Sequence, residues 1–160
     1  MANNADKAVE IFKGLIGKVE EPGEWFQITQ ERINQFADCT LDHQFIHVDP
    51  EKAAQLSPYK VTIAHGFLTL SMLTHLTTTL KPLAPEAYNG VIMGVNYGFD
   101  KVRFVNAVKV NSKIRVHRKL IDVQKKGDNN VQLNHECTVE IEGETKPALV
   151  AQWLTMLTYA

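Results

Sequence analysis

Cysteine is scarce in this sequence. Cys39 and Cys137 are the only two, and they lie far apart. A disulfide framework or a zinc ribbon needs more thiols at short, recurring spacing, so both are excluded. An excess of charge of one sign is also missing, with Lys+Arg 17 against Asp+Glu 18. No basic run interleaved with aromatics is present either, which argues against a nucleic-acid partner. Long hydrophobic runs are absent too. The longest stretch without Asp, Glu, Lys or Arg, 61–80, has the length of a membrane span. It carries Thr62, Ser71, Thr74, Thr77, Thr78, Thr79 and two histidines, too many polar groups for hydrocarbon. The first twenty or so residues place charges among their apolar positions, unlike a secretory signal peptide. The expectation is a cytoplasmic protein with no membrane partner.

What is present suits one globular domain over 1–160. The hydrophobic fraction of 44% is enough for a core, and no repeat, linker or low-complexity tract interrupts it. Residues 5–19 set Ala8, Phe12, Leu15, Ile16 and Val19 at helical spacing, predicting an amphipathic N-terminal helix within an extension over 1–22. Residues 25–28 suit a short strand. Thr29 is placed to cap a helix running to about Ala37. Asp49-Pro50-Glu51 predicts a second helix start, with Asp as cap and Pro in the first turn. From Phe67 the spacing Leu70, Leu73, Leu76, Leu80 is helical, and small or apolar residues on the other faces predict a long helix surrounded by structure.

The second half alternates. A strand is expected at 91–97. Val108, Val110, Ser112, Ile114 and Val116 keep a period of two, and the apolar phase shifts near Arg118, predicting a bulge. Val131 to Ile141 alternates again. Residues 148–157 are almost continuously apolar, as for a strand covered on both faces. Consecutive strands with short polar turns make an antiparallel meander. With one buried helix before them, the class is α+β, a curved sheet wrapped about a helix.

The chemistry concentrates in Asp42-His43-Gln44-Phe45-Ile46-His47-Val48-Asp49-Pro50 and in Ile63-Ala64-His65-Gly66-Phe67. The first segment reads as irregular backbone, where functional groups tend to sit. A carboxylate and an imidazole held near one water can share acid and base work close to neutral pH. Gly66, at the mouth of the apolar helix, presents a backbone donor of the kind that stabilises developing negative charge on a carbonyl oxygen. Taken alone, each has a plainer reading: Asp42 ends a turn, His47 packs at a helix entrance, and Gly66 permits close packing. His43, His47, His65 and His75 do not form a metal set, since no third and fourth ligand follow at a recognised spacing. His65 suits orientation of the Gly66 turn by a side-chain hydrogen bond, and His75 suits a helix position with a local partner. Cys39 suits a small buried residue.

These motifs, with Asn96-Tyr97-Gly98-Phe99-Asp100-Lys101-Val102-Arg103-Phe104 as a third, resemble the MaoC-like dehydratases, the (R)-specific enoyl-CoA hydratases of the hot-dog fold, and especially their NodN-like branch. The resemblance runs from about Thr29 to the C-terminus. It implies a long helix wrapped by an antiparallel sheet, and the reversible hydration of a trans-2-enoyl thioester to a (3R)-3-hydroxyacyl thioester. The family's catalytic Asp and His fall on Asp42 and His47, and its oxyanion-hole glycine on Gly66. Gln44-Phe45 stands where the wider family often has Asn-Pro. Gln44 is then expected to orient the water or the Asp42 carboxylate. Gln44, His65 and Arg103 are the candidate substrate-binding residues, Arg103 toward the phosphates of coenzyme A or else as a solvated surface charge. The resemblance implies no metal and no organic cofactor. It implies acyl-CoA or an acyl carrier protein thioester as substrate, and a homodimer or dimer of dimers. A hot-dog thioesterase and a non-catalytic acyl-binding subunit are the competing readings, because one fold hosts several chemistries.

Overall fold

The computed structural model describes residues 3–160. Helix α1, Asn4–Lys13, opens on a capping box: the Asn3 side chain accepts from the Asp6 N–H, and Asp6 answers the Asn3 N–H. Strand β1 is the pair Phe26–Gln27. Thr29 caps α2, Gln30–Thr40, through its hydroxyl and the Arg32 N–H. That helix outruns its predicted end by three residues and stops at Leu41 in the left-handed region, φ 63°. A single helical turn, α3, Phe45–Val48, lies inside the segment expected to be irregular. Asp49 then caps α4, Pro50–Leu56, as predicted.

The long apolar helix is two short ones, α5, Gly66–Ser71, and α6, Leu73–Thr77, meeting at Met72. The interruption is one residue wide: Met72 stays in the right-handed helical region, with its N–H on the Leu68 carbonyl and its carbonyl taking the Leu76 N–H. Ser71, Thr74 and Thr77 each hydrogen-bond a carbonyl three or four residues back, which competes with the helical ladder. The helix is also not enclosed. Leu68, Leu73 and Leu76 are buried, whereas Phe67 is 68% exposed. After a 3-10 turn at Pro85–Tyr88 come β2, Val91–Phe104, β3, Lys113–Lys126, β4, Asn130–Ile141, and β5, Leu149–Tyr159.

All pairings are antiparallel, in the order β1-β3-β4-β5-β2. The last three strands form the expected meander, and β2 closes the far edge against β5. One face of the sheet carries the core. On β4 the buried set is Val131, Leu133, His135, Cys137, Val139 and Ile141. Strand β5 also alternates between buried and half-buried residues, so it is covered fully on one face and not on both. The register of β3 shifts between Leu120 and Asp122, three residues beyond the predicted bulge, and Arg118 still points inward with Val116 and Leu120. Its guanidinium meets Glu20 through two bonds, Nε to Oε2 at 2.5 Å and Nη2 to Oε1 at 2.7 Å. Removing either partner leaves an uncompensated buried charge, at a cost of about 3–5 kcal/mol.

Two apolar clusters fill this face. Ile28, Ile33, Leu73, Leu76, Ile114, Val139 and Leu149 belong to the first. Ala5, Ala8 and Phe12 of α1 pack with Leu120, Val131, Leu133 and Tyr159 in the second. The N-terminal helix is therefore part of the sheet's cover. Among the described residues no helix is long and apolar enough to cross a membrane.

Candidate active site

The turn between α2 and α3 carries Asp42, and α3 carries His47. Residues 62–64 run beside 108–110, with the Ala64 N–H on the Val108 carbonyl and the Val110 N–H on the Thr62 carbonyl. This fixes the Ile63 carbonyl, and His47 Nδ1–H donates to it at 2.7 Å. A carbonyl only accepts, so the proton of neutral His47 sits on Nδ1 and Nε2 keeps a free lone pair. His47 is 7% exposed. Burial holds its pKa below the ordinary imidazole value, and the neighbouring His65 adds to this. The Ile63 carbonyl and Asp42 act in the opposite sense and are outweighed. His47 is consequently neutral, and available as a base, near pH 7.

His65 stacks on His47, with ring centroids 3.8 Å apart and 22° between planes. Its Nε2–H donates to the Asp42 carbonyl at 3.0 Å. The expected tie from His65 thus goes to the Asp42 turn. Side-chain atoms of Asp42, His47 and His65 all lie within 4.8 Å of one another. The trio is a poor metal cage nonetheless. Stacked rings place their in-plane lone pairs in nearly parallel planes, and a metal must sit about 2.0–2.1 Å from each ligating nitrogen along its lone pair.

Gly66 is the first residue of α5, so its N–H has no acceptor within that helix. A pocket of about 250 Å³ joins Gly66 to His47, with Tyr59, Thr69, Phe104 and Asn106 among its walls. The reason for glycine is visible. A Cβ at position 66 would meet the Phe104 ring at 3.0 Å. Phe104 in turn meets Phe67 edge to face.

Of the remaining candidates, Gln44 is exposed and caps α3 with no side-chain bond. Its backbone N–H, rather than its amide, reaches Asp42 Oδ1, at 3.4 Å. Arg103 is exposed on β2, outside the pocket walls, with its guanidinium on the Val102 carbonyl. Cys39 is exposed, correcting the expectation of a buried residue, because α2 turns that side to solvent. His75 lies on α6, but its ring partner is Phe26, distant in sequence, in place of the expected local one.

The model of the MaoC-like domain family matches residues 12–141. The chain belongs to the MaoC-like family. It is similar to nodulation protein N of Rhizobium leguminosarum bv. viciae, 45% identical over 144 residues, 90% of this chain and 87% of that one. It is also similar to 3-hydroxyacyl-thioester dehydratase Z of Mycobacterium tuberculosis, 46% identical over 129 residues, 81% and 82% of the two chains. Among solved structures, the (R)-hydratase PhaJ1 from Pseudomonas aeruginosa superposes with a TM-score of 0.66 over 91% of this chain and 83% of that one, at 21% identity. The fold of this MaoC-like chain is the hot-dog fold, built about a shorter and interrupted helix.

One feature of the MaoC-like site escaped the sequence. Gln30, at the start of α2, donates to the His47 carbonyl at 2.7 Å and accepts from the Thr62 hydroxyl at 2.5 Å. It clamps α3 to the segment that presents Ile63. A lone glutamine in a helical first turn carries no signal of such a role, since both partners are distant in sequence.

Proposed function

We propose that this protein catalyses the reversible hydration of trans-2-enoyl thioesters to (3R)-3-hydroxyacyl thioesters. The observation that carries the reading is the approach of the Asp42 and His47 side chains to within 4.8 Å, with His47 lining a pocket whose wall also includes Gly66, the first residue of α5. The thioester carbonyl sits at the Gly66 N–H, which stabilises the enolate-like oxygen of the transition state. A water lies between Asp42 and His47 Nε2. Its oxygen bonds to C3 as one proton passes to Nε2, and C2 takes a proton delivered through the pair. H and OH have then added across C2 and C3, and the two side chains together end with the protons they began with. His47, held neutral by burial, is the base.

The name of the mycobacterial relative supports a 3-hydroxyacyl thioester as the hydrated partner. Coenzyme A or an acyl carrier protein bears the acyl group, and no metal or organic cofactor takes part. The working unit is a homodimer or dimer of dimers in the cytoplasm. Strand β2 supports this, since it forms a sheet edge and exposes Ile92, Met93, Val95 and Tyr97.

The test is turnover of enoyl-CoA substrates of increasing chain length. Loss of the conjugated-enoyl absorbance without free thiol is the expected result. Release of free thiol instead makes the protein a thioesterase, and binding without turnover makes it an acyl-binding subunit.

A further inference from the structure

The pocket at Gly66 is the first of three recesses along one helix face. Gly66 and Thr69 line the first, Leu70, Leu73 and Thr74 the second, of about 330 Å³, and Thr77 the third, of about 190 Å³. These positions follow helical spacing, and the opposite wall advances from Ala148, just before β5, to Trp153 and Thr155 on that strand. The second and third recesses share Asn96 and Trp153. The first and second share no wall residue and meet through the neighbours Thr69 and Leu70, so the row of recesses spans about 16 Å from Gly66 to Thr77 at 1.5 Å per residue.

Its far end is unexpectedly polar. Arg118, His135 and Thr155 lie on the core face of the sheet, between the two apolar clusters, and Tyr88 and Asn96 join them around the third recess. One buried donor on its wall lacks a partner. Trp153 is 6% exposed, and its Nε1–H has no acceptor among the described residues. His135 is also 6% exposed and lines the same recess. A buried donor without an acceptor is costly and calls for an explanation. The cation is different. Glu20 already meets Arg118 twice, so a second anion here would face an occupied partner and an added carboxylate. The charge-neutral setting with a free donor fits an uncharged oxygen.

We propose that the far end of the groove is a subsite for a neutral oxygen function, a hydroxyl or a carbonyl, carried on the acyl chain away from the thioester. Trp153 Nε1–H donates to that oxygen, and His135 donates or accepts according to which function is bound. The substrate class is then an oxygenated acyl thioester rather than a plain alkyl one. This rests on the hydratase reading for the identity of the thioester, but not for the subsite itself.

The test uses pairs of trans-2-enoyl-CoA thioesters of equal length, one ending in methyl and one in a terminal hydroxyl, over a range of lengths. At the length that spans the groove, kcat/KM is expected to favour the hydroxylated member about tenfold, as one to two buried hydrogen bonds allow. Shorter pairs are expected to show no preference. In Trp153→Phe, which keeps the ring and removes the donor, the ratio is expected to fall at least threefold, about the effect of losing one hydrogen bond. A ratio at or below one at every length overturns the proposal in the unaltered protein, whatever the variant does. A ratio unmoved by Trp153→Phe overturns the assignment of the donor. If no enoyl-CoA is turned over, the hydratase reading fails alone. The Kd values of the corresponding saturated acyl-CoA pairs, by calorimetry, then decide the subsite. The same preference supports it, and equal values overturn it.

Discussion

Two buried histidines on the same hot-dog core meet different fates. His47 and His135 are almost equally hidden, and burial lowers the pKa of both, that of His135 to about 3. His47 is tethered. A backbone carbonyl fixes its proton on Nδ1, a second ring lies against its face, and an exposed carboxylate comes within 4.8 Å of its ring. His135 has burial and the nearby Arg118 charge, both of which disfavour its protonated form, and no tether. Burial alone therefore makes a neutral imidazole. A base also needs a fixed lone pair and a partner to share the proton, and only the mouth of the groove supplies them.

The comparison breaks most sharply if the tethered histidine proves dispensable. His47→Gln and Asp42→Asn are each expected to lower kcat for enoyl-CoA hydration by about 10²–10⁴, the range of general acid–base catalysis, with little change in thermal stability by calorimetry. A loss under tenfold in both would remove the pair from the chemistry. Next in size is Gly66→Ala. The added methyl meets Phe104 at 3.0 Å, so ring or helix must move, and loss of an oxyanion donor's alignment costs about 10²–10³ in kcat. Gly66→Ala with Phe104→Leu is expected to recover part of that loss, because the shorter side chain yields. No recovery would mean that the glycine matters for some reason other than Phe104.

Much of this was legible in the chain. Thr29 and Asp49 cap the helices that their side chains predict, and the period of two on β4 marks the core face. Asp42 lies within 4.8 Å of His47, and His47 shares a pocket with Gly66, residues that the motif singled out. Most of what stayed hidden depends on contacts distant in sequence. The Met72 interruption is one residue wide and leaves no mark on the apolar spacing. Arg118 read as a change of phase because an inward charge breaks the apolar alternation, and its partner Glu20 lies 98 residues away. The Gln30 clamp spans 17 and 32 residues to its two partners.

The untethered histidine has its own signature, in stability rather than rate. Its folded pKa of about 3 lies below the unfolded value near 6.5. Between those values the unfolded chain binds a proton that the folded chain does not. Stability is thus full above about pH 6.5 and falls with pH down to about 3, at up to about 1.4 kcal/mol per pH unit from this group. His135→Leu is expected to flatten that part of the acid limb in urea unfolding between pH 4 and 6.5. Parallel curves for the two proteins would show that His135 takes up its proton while folded, and the contrast with His47 would lose one of its terms.

The smallest effect expected is the one that sharpens the contrast most. Gln30 touches no reacting atom, yet it holds the His47 carbonyl and, through Thr62, the segment bearing the Ile63 carbonyl. Gln30→Met keeps the length of the side chain and removes both of these bonds, together with one to Asn34 on its own helix. The His47 ring then keeps its burial but loses part of its tether, and moves toward the condition of His135. Turnover is expected to fall about tenfold, as modest misplacement of a catalytic group allows, with KM nearly unchanged because Gln30 is not a pocket wall. A weakened bond to the Ile63 carbonyl removes an influence that raises the His47 pKa, so the acid limb of kcat against pH is expected to move to still lower pH. A general loosening of the fold would instead expose His47 and move that limb up toward 6.5. The direction of the shift therefore separates a clamp on the base from a merely structural glutamine.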